Sequence, residues 1–279
     1  MAHSEILLHH PTPLPYCYDL ASPIIPLPGK TYGPDRTVLE SEMTTTAAKS
    51  PSFADRLNAG HRPFYLRRLH SLTGIVFGFY LLVHLVMSAS LVEGFRAGAT
   101  QTVFQKQVAV TQSVPFLGLA LWVLVYLPIL YHALYGLWLT YNIKPNVNQY
   151  PYGKNIFYVF QRLTGLLLIA FLFFHVTAMK GWWAVSLKFD PWRATESTVS
   201  HLTTNWFIGW FIYPVGILAA CYHLANGFWT AAITWGITIS AQSQRRWGWV
   251  CVGLFVLSMI LGMTALIAAL TPAASAHHG

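Results

Sequence analysis

Four histidines, His84, His132, His175 and His223, lie inside strongly apolar stretches of the chain. Their spacing repeats: 132 less 84 and 223 less 175 are both 48. Their surroundings repeat as well. Leu72-Thr73-Gly74 stands ahead of His84 as Leu163-Thr164-Gly165 stands ahead of His175, and Tyr131-His132 with Gly136 and Trp138 recurs as Tyr222-His223 with Gly227 and Trp229. An ionisable side chain is costly in hydrocarbon and is kept there for a purpose. Imidazole is also a usual axial ligand of b-type haem, so a repeated set of four points to two haems buried in a membrane bundle. A single histidine in an apolar helix is more often an interhelical hydrogen-bonder; four of them, one per stretch and in matching surroundings, favour ligation.

Such ligands need long apolar helices to carry them. The 279 residues are 54% hydrophobic and only 9% charged, with a mean hydropathy of +0.46, whereas soluble domains carry about 25% charged residues. The net charge of +8 comes from basic residues at the ends of apolar runs, where membrane topology accounts for them. It does not form a nucleic-acid-binding patch. Cys17, Cys221 and Cys251 lie far apart with no Cys-x-x-Cys pair, which argues against an iron–sulfur cluster, a zinc site or covalently attached haem.

Five stretches reach the roughly 20 residues a bilayer crossing needs: about Leu69–Leu91, Pro115–Asn142, Ile156–Trp183, Trp206–Thr238 and Trp247–Leu270. The predicted fold is an all-α integral membrane protein of five transmembrane helices, the first four forming the haem-binding bundle and the fifth packing on its flank. One side of the membrane receives Arg56, Arg62, Arg67, Arg68, Lys144, Lys154, Arg162, Arg245 and Arg246, with Asp55 the only acid. The other receives Arg96, Lys106, Lys180, Lys188 and Arg193 alongside Glu93, Asp190 and Glu196. The positive-inside rule makes the first side cytoplasmic, with the N-terminus inside and the C-terminus outside. Residues 1–55 read as a disordered or extended arm rich in Pro, Ser and Thr, 56–270 as the membrane domain, and 271–279 as a short solvated tail. Met43 is a second candidate translation start, which would leave residues 1–42 untranslated.

Helix rise sets the depth of each histidine. Counted from the outer edge of its span, His84 lies roughly 14 Å deep and His175 roughly 12 Å, while His132 and His223 each lie roughly 26 Å deep. Only histidines of equal depth can share an iron. The expected pairs are therefore His84 with His175 for an outer haem and His132 with His223 for an inner one. Gly74, Gly78, Gly136, Gly165 and Gly227 would leave room for a flat ring.

Several segments resemble the two-haem, five-helix cytochrome b subunit of succinate dehydrogenases and fumarate reductases. They are Arg62-Pro63-Phe64-Tyr65-Leu66-Arg67-Arg68-Leu69-His70-Ser71-Leu72-Thr73-Gly74 with His84, Tyr131-His132-Ala133-Leu134-Tyr135-Gly136, Gln161-Arg162-Leu163-Thr164-Gly165 with His175, His223-Leu224-Ala225-Asn226-Gly227-Phe228-Trp229, and Thr234-Trp235-Gly236-Ile237-Thr238 with Ser243-Gln244-Arg245. The similarity runs from about Arg62 to Leu270. It implies a membrane anchor in the cytoplasmic membrane, without a dicarboxylate site of its own, docking flavoprotein and iron–sulfur subunits on the cytoplasmic face. Electrons would pass through two b haems to a quinone, menaquinone being the expected one. Succinate drives menaquinone reduction poorly, and one charge crossing 100 mV supplies about 2.3 kcal/mol toward it.

The resemblance also places His70 and Ser71 at the inner haem's propionates, with Arg67, Arg68 and Arg162 close in depth; guanidinium suits carboxylates. Arg193 is the corresponding candidate on the outer side. Glu93, Gln105, Lys106 and His201 are candidates to serve a quinone head group. Some relatives carry a glutamate two residues before the fourth histidine as a proton carrier; Cys221 stands there instead, which argues against that route. Two competing classes stay open from the sequence: the cytochrome b anchor of another quinone-linked oxidoreductase, and a transporter using histidines as a proton relay. Against the second, none of the five spans contains Asp or Glu.

Overall fold

Backbone amides in hydrocarbon must find partners within their own segment, so long apolar runs become helices. The computed structural model describes residues 53–92, 102–143, 145, 147–183 and 188–271, and among them there are helices and turns but no strand. By compactness the chain divides into Met1–Ala54 and Asp55–Gly279, and nearly all described residues belong to the second unit. Residues 1–52 of the expected arm, the alternative start at Met43, Glu93, Arg96, Lys144 and the tail beyond Thr271 lie outside the described residues, while residues 53–55 at the arm's end are already helical.

Among the described residues, seven α-helices carry the architecture. α1 is Phe53–Ala89, α2 Val103–Gln112, α3 Leu117–Asn142, α4 Gly153–Met179, α5 Ala194–Thr203, α6 Ile208–Thr234 and α7 Ala241–Leu270. Five are long and apolar enough to cross a membrane: α1 from Phe64, then α3, α4, α6 and α7. The spans agree with the sequence reading to within a few residues at most ends. Two features go beyond it. The first span is the latter part of a longer helix, and the connections flanking the first and third spans contain the short helices α2 and α5.

Local chemistry fixes the ends. α4 stops at Gly181 and α6 at Gly236, both with positive φ (74° and 71°). In each case the glycine N–H and the next N–H bond back to the final turn, through Gly181 N to Ala178 O and Trp182 N to Thr177 O, and through Gly236 N to Ile233 O and Ile237 N to Ala232 O. That double closure needs a left-handed residue, which glycine supplies without steric cost. α7 starts at Ser240, whose hydroxyl accepts from Ser243 N while Ser243 Oγ accepts from Ser240 N. α3 and α6 each widen into one π turn, at Trp122–Tyr126 and Ile208–Ile212. Each lies just ahead of a proline, Pro128 and Pro214. Proline lacks the N–H for the normal ladder and crowds the preceding turn, and the wider turn relieves both.

α7 lies against α6, with Gly262 meeting Ile217 and Leu85, as expected of a flanking helix. Cys221 and Cys251 are buried among these helices. α2 and α5 cap one end of the bundle, where Leu91, Phe104, Val108, Ala194 and Ala268 form a small apolar cluster. Gln105 ties the cap together: its amide nitrogen donates to Pro191 O and its oxygen accepts from Ala194 N at the start of α5. The α5–α6 corner is tight. A Cβ at Gly209 would come 2.5 Å from Leu202 O and 2.6 Å from Leu270 Cδ2. A backbone oxygen cannot step aside as a side chain can, so Gly209→Ala is expected to cost about 1–3 kcal/mol. A drop in thermal unfolding temperature in detergent would register it.

Candidate functional site: two histidine pairs

The four spanning histidines come together in two pairs. His84 on α1 faces His175 on α4, with ring centroids 6.0 Å apart and planes at 66°. His132 on α3 faces His223 on α6, at 6.1 Å and 84°. These are the partners that depth counting selects, first span with third and second with fourth. The His84–His175 pair lies toward the α5 end of the bundle and the other pair toward the opposite end.

The spacing fits a shared metal. A metal–imidazole bond of about 2 Å on each side, with about 1 Å from each nitrogen to its ring centre, separates two trans imidazoles by about 6 Å. Among the described residues there is no cluster of three or more His, Cys, Asp or Glu side chains that could hold a bare ion. Two facing imidazoles with no third ligand suit a metal whose remaining positions are filled by a macrocycle.

Hydrogen bonding fits as well. His132 Nδ1 lies 2.9 Å from His70 O, and His223 Nδ1 lies 3.1 Å from Gln161 O. A carbonyl can only accept, so Nδ1 carries the hydrogen in both rings and Nε2 keeps its lone pair. Metal-bound histidines are held in this manner by a partner on the other nitrogen. The two bonds repeat at an offset of 91 residues, 161 less 70 and 223 less 132. Tyr131 OH to Leu66 O and Tyr222 OH to Phe157 O, at 3.1 and 3.4 Å, repeat at the same offset. The duplicated motifs of the sequence are thus duplicated interhelical contacts, α1 with α3 and α4 with α6.

The repeated glycines have a more specific task than leaving space for a flat ring. A Cβ at Gly74 would lie 2.6 Å from His132 Cε1, and one at Gly165 would lie 3.1 Å from His223 Cε1. Gly78 makes room for Leu224 and Phe228, Gly136 for His70, and a Cβ at Gly227 would lie 3.5 Å from the Gln161 amide nitrogen. These glycines seat neighbouring side chains, two of them imidazoles of the facing pairs.

Around the His132–His223 pair, His70 stacks on His132 with centroids 4.0 Å apart and planes at 10°. His70 Nδ1 and Arg68 Nε are buried without a hydrogen-bond partner. Arg68 also lies over the Phe64 and Trp235 rings. Ser71 Oγ accepts from Trp235 Nε1 at 3.1 Å. Arg162 reaches the end of α3, donating to Leu139 O at 3.3 Å and to Ile143 O, and it contacts Tyr158. A cation on exposed carbonyls at a helix C-terminus is a favourable arrangement.

At the other end, His175 Nδ1 lies 3.0 Å from Tyr213 OH, and Tyr213 OH lies 3.0 Å from His201 Nε2. His201 is fully buried, and burial holds its pKa below the ordinary histidine value. Tyr213 lies outside the repeated motifs and carries no sequence signal of this role, since Trp122, not a tyrosine, stands 91 residues earlier. Arg193 is exposed and paired with Glu196. That ion pair raises its pKa further. Lys106 is exposed, and Gln105 is engaged in capping α5.

The chain is 33% identical over 213 residues to the succinate dehydrogenase cytochrome b558 subunit of Bacillus subtilis (strain 168), an alignment spanning 75% of this chain and 98% of that protein. No family model matches the chain.

Proposed function

The chain belongs to the family of succinate dehydrogenase cytochrome b subunits, and from that premise we propose that it is the membrane anchor of a succinate:quinone oxidoreductase, holding two b haems between an iron–sulfur subunit and menaquinone. The observation that carries this reading is the two pairs of facing imidazoles at 6.0 and 6.1 Å, with an Nδ1 partner on three of the four rings. His84 and His175 would hold one haem, and His132 and His223 the other. A haem bound at each pair would supply a one-electron carrier, and two such pairs at different depths would divide a crossing of about 30 Å.

The protein's part is to position and insulate. Backbone carbonyls of His70 and Gln161 fix two ligand tautomers, and the lipid-facing helices exclude water. Buried and unpaired, His70 Nδ1 and Arg68 Nε support an anionic group at that end. We assign His70, Ser71 and Arg162 to the propionate environment of the His132–His223 haem. That end faces the cytoplasm by its excess of arginine and lysine, and the flavoprotein and iron–sulfur subunits dock there.

The test is spectroscopic and compositional. Purified from its native membrane, the protein is expected to show a reduced b-type spectrum, two haems per chain and co-purification with a flavin-containing subunit. A colourless protein would transfer the four histidines to a proton-relay role, and a haem protein whose partner lacks flavin would place it with another oxidoreductase.

A further inference from the structure

The two histidine pairs are not held alike. His132 and His223 donate to backbone carbonyls, whereas His175 meets the side chain of Tyr213, which in turn meets His201. We infer that Tyr213 and His201 are positioning residues that tune the redox potential of the haem bound by His175, through a directional relay of two hydrogen bonds. The inference rests on the dihaem reading above.

The direction follows from the donor inventory. If His175 Nε2 binds iron, its hydrogen sits on Nδ1 and donates to the Tyr213 oxygen. The phenol hydrogen is then free to donate to His201 Nε2. That nitrogen accepts because the imidazole is neutral, as its burial favours. His201 must then carry its own hydrogen on Nδ1, the atom that is buried without a partner. The reversed chain would put a hydrogen on His175 Nε2 and forbid ligation. Iron at one end therefore selects the tautomer of a fully buried histidine at the other.

The chemical effect has a definite sign. A hydrogen bond from Nδ1–H makes an imidazole a more basic ligand. A phenol that is itself donating is a better acceptor than one that is not. A more basic ligand stabilises the ferric state and lowers the potential. Removing the phenol oxygen should therefore raise it. Tyr213 also packs its ring edge against Phe171, at 5.5 Å and 87°, and Tyr213→Phe keeps that contact while deleting only the oxygen.

The experiment is a potentiometric titration of the purified complete complex, following the α-bands of both haems. Tyr213→Phe is expected to raise one potential and leave the other in place. The shift should be roughly tenfold in the ferric/ferrous equilibrium, the low end of what such partners contribute, or about 59 mV for a one-electron couple. His201→Ala should move the same haem the same way by less, and His201→Gln, which restores an acceptor, should return it toward wild type. Unchanged potentials in a Tyr213→Phe complex that retains both haems would overturn the relay, as would equal shifts in both haems. Should Tyr213→Phe not assemble, His201→Ala and His201→Gln decide alone, and identical potentials for the two would sink it. A wild-type complex without two haems would refute the dihaem reading itself, and the relay with it.

Discussion

Replacing His132 with alanine is expected to halve the haem content, leaving one b haem on His84 and His175 and abolishing electron entry from the iron–sulfur subunit. The expectation rests on the separation of the pairs. His132 has one imidazole facing it across the bundle, His223 at 6.1 Å, and among the described residues His70 stacks parallel to it instead of facing it. Among the described residues no imidazole other than His132 faces His223. Haem-to-protein ratio and the rate of quinone reduction by succinate read the two effects separately. If the variant kept both haems and full quinone reduction, the pairing would be wrong.

Gly74→Ala is expected to affect the same haem without touching a ligand. The new methyl would lie 2.6 Å from His132 Cε1 and 2.8 Å from its Nδ1. His132 has little freedom to retreat, being hydrogen-bonded to His70 O and stacked on the His70 ring. Overpacking of this kind costs about 1–3 kcal/mol, and the bond that sets the tautomer is strained with it. The matched substitution Gly165→Ala meets His223 at 3.1 Å, a contact that a few tenths of an ångström relieves. The haem content of purified Gly74→Ala should therefore fall well below that of Gly165→Ala. Equal losses would mean that the two glycines do not act through the imidazoles.

Much of this arrangement was legible in the sequence because helices convert residue number into depth. Counting alone set His84 beside His175 and His132 beside His223, and low charge with long apolar runs set the five spans. The expectations weakened where a side chain's direction depends on packing. Gly74 and Gly165 read as space for a ring, and only the helix contacts show that each seats an imidazole of a neighbouring span. Arg162 could be placed near the right end of the bundle, but not on the carbonyls that close α3. α2 and α5 are short and mixed in polarity, and no strong periodicity announces them. Tyr213 escaped because it lies outside the duplicated motifs. Its approach to His175 depends on α6, whose π turn ends just before it, ahead of Pro214.

The way each imidazole is anchored decides how readily mutation can reach it. At positions 70 and 161 every amino acid brings a main-chain oxygen, so His132 and His223 keep their acceptors under any substitution that preserves the helix. His175 has no such insurance, since one codon change at Tyr213 deletes its partner. On the proposed dihaem reading, electrochemical adjustment by substitution would therefore be easier at the α5 end than at the other.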